Sequence, residues 1–147
     1  MSHQKGVDFI GVAVVYFCHD GKGSFVMGKR TNQTRDEHNK WDIGGGGIEF
    51  NESVEKTFRK EIMEEYATDV LNFDFLGYRE VYRQYQGQST HWVVLDFKVL
   101  VDPAKVKNGE PHKFGAVKWF TLNTLPTKDL LHSQLPYFLE KYKLKLE

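Results

Sequence analysis

Apolar and polar residues change rhythm several times along the chain, and each change marks an element. Val7 to Phe17 is dense in β-branched and aromatic residues, and Asp20-Gly21-Lys22-Gly23 supplies a turn before Ser24 to Lys29, so the chain opens as two paired strands. Thr31 to Lys40 has neither a two-residue nor a helical period and reads as a loop of the kind that borders sites. Trp41-Asp42-Ile43 leads out of it as a short strand. Gly44-Gly45-Gly46-Gly47 then reads as a glycine-built loop, and Ile48-Glu49-Phe50 as another extended piece.

No Gly or Pro interrupts the stretch from Asn51 to about Thr68, which is the strongest helix pattern in the chain. Asn51 or Ser53 is suited to cap it, and Glu52 and Glu55 suit the positive end of its dipole. Val54, Phe58 and Ile62 recur at four-residue steps and would pack it onto a sheet. Phe73 to Tyr85 and Trp92 to Leu100 read as a hairpin around Gln86-Gly87-Gln88-Ser89, and Val117 to Phe120 as a further short strand. A second helix is predicted from Lys128 to Lys143, offering Leu130, Leu131, Leu135, Phe138 and Leu139 to the core, with Pro136 placed to kink or divide it. An α/β core with two helices follows.

Composition narrows the partners. With 147 residues, 40% of them hydrophobic, the chain can bury one substantial core, so residues 1–147 are read as one domain. Twenty basic and twenty acidic residues give zero formal charge and are interspersed, which argues against a long nucleic acid or an anionic membrane while allowing a small nucleotide. Cys18 is the sole cysteine, so no intrachain disulfide forms, and no segment has the length and apolarity of a signal peptide or membrane span. A cytoplasmic protein is expected.

The candidate chemistry lies in Lys60-Glu61-Ile62-Met63-Glu64-Glu65. Spacings of three and four residues put Glu61, Glu64 and Glu65 within an arc of roughly 100° on a helix, so their oxygens can converge on one cation. Mg2+ suits hard carboxylate oxygens and retains water and substrate phosphate as further ligands; Mn2+ is the alternative, and the lack of a Cys/His cluster disfavours zinc. A solvated, self-paired helix face explains the same charges when the helix is taken alone. Val54 and Phe58 project near Glu61 and Glu65, however, which places the row at the edge of a packed face. Gly45 and Gly46 can bring bare backbone to such a site. The run is not a Walker loop, because no Gly-Lys-Ser/Thr follows it.

This combination resembles the Nudix hydrolase family. Its signature G-x5-E-x7-R-E-U-x-E-E-x-G-U, with U a bulky apolar residue, lies over Gly46 to Thr68 with the leading glycine and every acidic position matched by Gly46, Glu52, Glu61, Glu64 and Glu65. Trp41 to Glu49 is similar to the family's W-x-x-P-G-G-x-x-E approach, and Trp119-Phe120 with Leu125-Pro126 to its C-terminal W-hydrophobic-x4-L-P segment. Five positions depart from the pattern: Gly44 stands for proline, Asn51 for glycine, Lys60 for arginine, Ala67 for glycine and Thr68 for a bulky apolar residue.

The resemblance implies an α/β/α sandwich with a mixed, curved sheet and Mg2+-dependent hydrolysis of a nucleoside diphosphate linked to a group X. The Gly45 carbonyl with Glu61, Glu64 and Glu65 would hold metal, Glu52 would pair with Lys60, and Glu61 is a candidate to activate water. Glu110, the nearest acid upstream of Trp119, is a second candidate base if its loop reaches inward. Lys60 is a point charge where the family has a planar fork, so a weak or inactive nucleotide- or metal-binding module of the same fold is the alternative reading. Lys29, Arg30 and Arg35 are candidates for phosphate contacts, with Arg30 first. Tyr82, Trp92 and Phe114 are candidates for stacking on a base, against ordinary core packing. Glu49 is an equal choice between a water-bridged ligand and a strand-end charge, and His91 and His112 carry no catalytic assignment. The expected partner is a small nucleotide or nucleoside-diphosphate derivative, and a homodimer is an open assembly.

Overall fold

Alternate side chains of a strand point to opposite faces, and in β1 (Gly11–His19) both faces are apolar. Val14, Tyr16 and Cys18 enter one core cluster, while Phe17 enters a second with Val15 packed against it. A strand of this kind needs a layer on each side. In the computed structural model, which describes residues 3–147, α1 (Val54–Tyr66) supplies one through Phe58, Ile62 and Tyr66, and α2 (Leu135–Leu146) supplies the other through Leu135, Phe138, Tyr142 and Leu146.

The sheet between them has seven strands: β1, β2 (Ser24–Arg30), β3 (Trp41–Asp42), β4 (Gly45–Gly47), β5 (Val70–Tyr85), β6 (Gln88–Val101) and β7 (Phe114–Thr121). The main path runs β3-β2-β1-β6-β5, with β4 on β1 and β7 on β2. β1 and β6 are parallel from Gly11↔Trp92 to His19↔Leu100, whereas β5 and β6 form a long antiparallel hairpin. Register shifts between Val70 and Asn72, Phe75 and Gly77, and Lys29 and Arg30 bend the strands. The result is the mixed, curved sheet flanked by helices that the family resemblance implied.

Boundaries moved for identifiable reasons. The first strand begins at Gly11, not Val7, because Gln4 to Phe9 turns back on itself: Asp8 accepts from the Gln4 amide at 2.6 Å and the Gly6 amide donates to the Phe9 carbonyl at 2.7 Å. Helix α1 starts at Val54, with the Ser53 hydroxyl accepting from the Lys56 amide, and Asn51 lies outside it at φ +67°. The hairpin turn is only Gln86-Gly87, both at positive φ as a tight hairpin demands. The second helical region is divided into a 3-10 turn (Lys128–Leu130) and α2, with Pro136 in the first turn of α2, where its missing N–H costs nothing.

Candidate active site

Three neighbouring glutamates on α1 sit at three depths. Glu65 is buried, Glu61 is intermediate and Glu64 is exposed, so the arc foreseen from their spacing rolls from the core to the solvent. The inner edge of the arc faces the four glycines, and their lack of side chains has a specific use. A β-carbon at Gly46 would lie 2.6 Å from Cδ of Glu61; one at Gly44 would lie 2.8 Å from Oε1 of Glu65 and 2.6 Å from the Tyr16 ring. The tract is therefore a floor on which the two carboxylates rest.

From Gly45 to Gly47 it is a strand rather than the loop read from the sequence. Tyr16 donates its amide to the Gly44 carbonyl, Ile48 donates to Val12, and Gly46 lies opposite Val14. In an antiparallel ladder the intervening Gly45 then turns its N–H and C=O away from β1, toward the open edge. Gly44 has φ +111°, a conformation closed to the proline found there in the family pattern.

Glu65 is 1% exposed and accepts a hydrogen bond from the Tyr16 hydroxyl and another from Lys113 Nζ at 2.9 Å. Burial pushes its carboxyl up to about 7, against the opposing pull of Lys113 and Tyr16. Burial and then the Glu64 charge likewise raise Glu61, with Glu110 adding to the rise. Lys113 is held above its ordinary value: burial would lower it, but Glu65, then Glu110 and Glu61, outweigh that.

Glu110 reaches this cluster because its loop is fastened to the end of α1. The amides of Lys107 and Gly109 donate to the carbonyls of Tyr66 and Glu65, groups that a helix end leaves without partners. The Asn108 side chain links the Phe114 carbonyl to the Glu110 amide, and Glu110 comes within 4.0 Å of Lys113 Nζ. Lys60 spans both oxygens of Glu52 at 2.9 and 3.2 Å, so the lysine reproduces a two-point contact.

A cavity of about 320 Å3 opens beside β4 and runs across β1, β6 and β5. Glu65 and Lys113 stand in its wall together with the glycine tract, and Arg30 and Arg35 from the earlier candidates line it, whereas Lys29 does not. Arg30 is already engaged by Asp36 at 3.1 Å and Asp42 at 4.0 Å. Trp92 and Phe114 also reach the cavity. Tyr82 does not: it lies on the outer surface against His91, ring centroids 4.4 Å apart. Glu49 is turned away to Lys5 at 2.9 Å, His112 offers its backbone carbonyl to Thr31, and Trp41 and Trp119 pack in the two core clusters.

Sequence reasoning missed Lys113 and Tyr16, the partners of Glu65, and Arg79 and Arg83, which line the cavity. The signal for the last two was a two-residue period in which Arg79, Val81 and Arg83 share one face of the strand. Tyr16 carried no mark distinguishing it from its apolar neighbours.

Among the described residues no three His, Cys, Asp or Glu side chains gather closely enough to cage an ion by themselves. The donors at hand are nevertheless hard oxygens, and burial raises the carboxyls of Glu61 and Glu65 against the opposing pull of Lys113. That chemistry fits a hard divalent cation. Among the described residues no helix is long and apolar enough to cross a membrane.

The NUDIX domain model matches residues 9–142. The chain belongs to the Nudix family. Its membership makes it a pyrophosphohydrolase of nucleotide-derived substrates, and Mg2+ dependence is typical of the family. Among curated proteins it is similar to an RNA pyrophosphohydrolase of Gluconacetobacter diazotrophicus, 26% identical over 76% of this chain and 77% of the relative. An RNA pyrophosphohydrolase of Wolbachia pipientis subsp. Culex pipiens is 24% identical over 86% and 80% of the two chains. Among solved structures, a MutT NUDIX hydrolase from Burkholderia pseudomallei superposes with a TM-score of 0.77 at 24% identity, covering 89% of this chain and 96% of that one. The MutT protein of Methanosarcina mazei Go1 gives 0.76 at 21% identity, covering 92% and 94%. These superpositions carry the shared fold.

Proposed function

We propose that this chain hydrolyses a nucleoside diphosphate linked to X in the presence of Mg2+, with Mn2+ as a substitute, yielding a nucleoside monophosphate and phosphorylated X. The observation that supports this most is the junction of the glycine floor, two half-buried or buried carboxylates and the cavity, since it sets phosphate-sized space against acidic oxygen ligands. The Gly45 carbonyl with Glu61, Glu64 and Glu65 would hold the ion, which when bound lowers the pKa of water and offsets charge on phosphate oxygens.

The protein's own groups divide the remaining work. Glu61 is the preferred proton acceptor, because it is half-buried against the glycine floor and adjoins the carboxylates that would hold the ion. Glu110 is the second acceptor and stands close enough to share the charge. Lys113 steadies Glu65 and presents an ammonium beside the space a phosphate would enter. The apolar part of the cavity would exclude water from the rest of the substrate. Balanced net charge favours a free nucleotide over a long RNA, although the curated relatives are named for RNA pyrophosphate hydrolysis.

The test is Mg2+-dependent product formation across nucleoside triphosphates, ADP-ribose, nucleotide-sugars, dinucleoside polyphosphates and a triphosphorylated oligonucleotide. Glu64→Gln is the matched control. Turnover lost in the control supports the reading; equal background from both proteins on every substrate overturns it.

A further inference from the structure

Arg79 is 3% exposed and belongs to no part of the reaction described above. Its Nε and Nη2 donate to the two oxygens of Asp96 at 2.7 and 2.8 Å, and Asp96, itself fully buried, also accepts from the Tyr142 hydroxyl at 2.6 Å. Phe138 packs along the guanidinium at 5.3 Å. The side chain is thus held from three sides, yet among the described residues its Nη1 is the buried side-chain nitrogen or oxygen left without a hydrogen-bond partner. A buried donor without a partner has given up its bond to water with nothing in return, so such an atom asks for an acceptor from outside the protein.

The surroundings say which acceptor. Arg79 lines the same cavity as Glu65 and Lys113, and its neighbours there include Val81, Val94, Trp92 and Val15. The strand register puts Arg79 opposite Val94 and Val81 opposite Trp92, giving an apolar floor around the guanidinium. The charge is already balanced by Asp96; Arg30 is likewise paired with Asp36 and Asp42 and Arg83 with Asp36 and Glu37, while Arg35 lies over the Tyr85 ring at 4.9 Å. A phosphate would find few uncommitted cations there. A flat, neutral group with hydrogen-bond acceptors on its edge suits the site better, and a nucleobase is such a group.

We propose that Arg79 reads the 6-keto edge of a purine and discriminates against adenine. Guanine and hypoxanthine present O6 and N7, both acceptors, along one edge; adenine puts an amino donor at position 6, which would face the Arg79 N–H groups and leave donor against donor. Nη1 carries two N–H groups, which would meet the edge of a base seated on the Val81/Val94 floor once the guanidinium tilts on its Asp96 pair. This deepens the hydrolase reading and rests on it only for placing the nucleotide in the cavity.

The test uses binding, so that it does not depend on turnover. The full chain is titrated calorimetrically with IMP, GMP and AMP, which lack the scissile bond. IMP and AMP differ at the edge in question. The expected result is IMP and GMP binding about ten-fold or more tighter than AMP, the size of discrimination a good arginine-to-base contact gives. The preference should vanish in the double variant Arg79→Met/Asp96→Asn, which removes the fork and its countercharge together; a thermal melt checks its folding. Equal affinity for the three ligands in the wild-type protein, or no binding of any of them, overturns the proposal, and this holds whether or not the double variant folds. Failure of the hydrolase reading would instead appear as absent Mg2+-dependent turnover, with the IMP over AMP preference intact.

Discussion

Replacing Ala67 by glycine should stabilise the protein without touching its chemistry. Ala67 closes α1 in the left-handed conformation, φ 58° and ψ 29°, with its amide donating to the Met63 carbonyl. A residue with a β-carbon held there carries about 1–2 kcal/mol of steric cost. Glycine removes that cost but loses about 0.5–1 kcal/mol more backbone freedom on folding. The difference leaves a net gain of roughly 0.5–1 kcal/mol. For a chain of 147 residues this corresponds to a rise in Tm of about 1–4 °C. Urea unfolding followed by tryptophan fluorescence measures it directly: the midpoint should rise while the slope m stays constant, since the native surface does not change. Ala67→Val is the opposing control, because a β-branched side chain tolerates this conformation still less. Equal or lower stability of the glycine variant would show that the helix end bears no strain worth relieving.

Gly46→Ala should leave folding nearly intact yet reduce kcat by about 100-fold, because its methyl would displace the Glu61 carboxylate from 2.6 Å and small misplacements of a reacting group are that costly; steady-state kinetics beside a melt would show unaltered kcat if the floor is unimportant. Tyr16→Phe removes a donor from fully buried Glu65 and should cost about 1.5–3 kcal/mol in metal-free urea unfolding; a loss under 0.5 kcal/mol would mean that Lys113 alone suffices. Arg79→Met alone strands the buried Asp96 charge and should cost about 3–5 kcal/mol, much of it recovered on adding Asp96→Asn; additive losses in the double-variant cycle would contradict this. Glu37 provides a pH test. Burial raises its carboxyl, but the hydrogen bond from Ser133 and the charges of His132 and Arg83 outweigh that and hold it below the ordinary carboxylate range. Its stabilisation is therefore present above the unfolded value and lost as pH falls through the folded one, so the urea midpoint of the wild type should drop faster between pH 5 and 3 than that of Glu37→Gln, by roughly the linkage slope of a single proton. Parallel curves would dismiss the link between this loop and the start of α2.

The helix bearing the acids, the hairpin and the existence of the first strand were all legible in the sequence. Local pattern is enough for these, because the two- and 3.6-residue periods state which residues share a face whatever lies opposite. Val54, Phe58 and Ile62 could only be the inner face of α1, and the three glutamates had to lie on one arc. The family signature added the roles implied for that arc. Pattern also explains the errors: a glycine run looks like a loop when read alone, and becomes β4 only because β1 offers it a ladder and Glu61 and Glu65 occupy the space where β-carbons would stand.

What periodicity left open was depth and partnership, and both belong to the tertiary structure. Glu64 and Glu65 are adjacent, of one type and on one helix, yet one meets water and the other is sealed against Tyr16 and Lys113. Those partners are 49 and 48 positions away along the chain. Arg79 and Asp96 read separately as ordinary strand charges, and the hairpin register with Tyr142 makes them a buried, incompletely satisfied fork. Burial and the neighbours it brings set the electrostatic state of such groups, and a linear sequence carries no measure of how far a side chain will end from water.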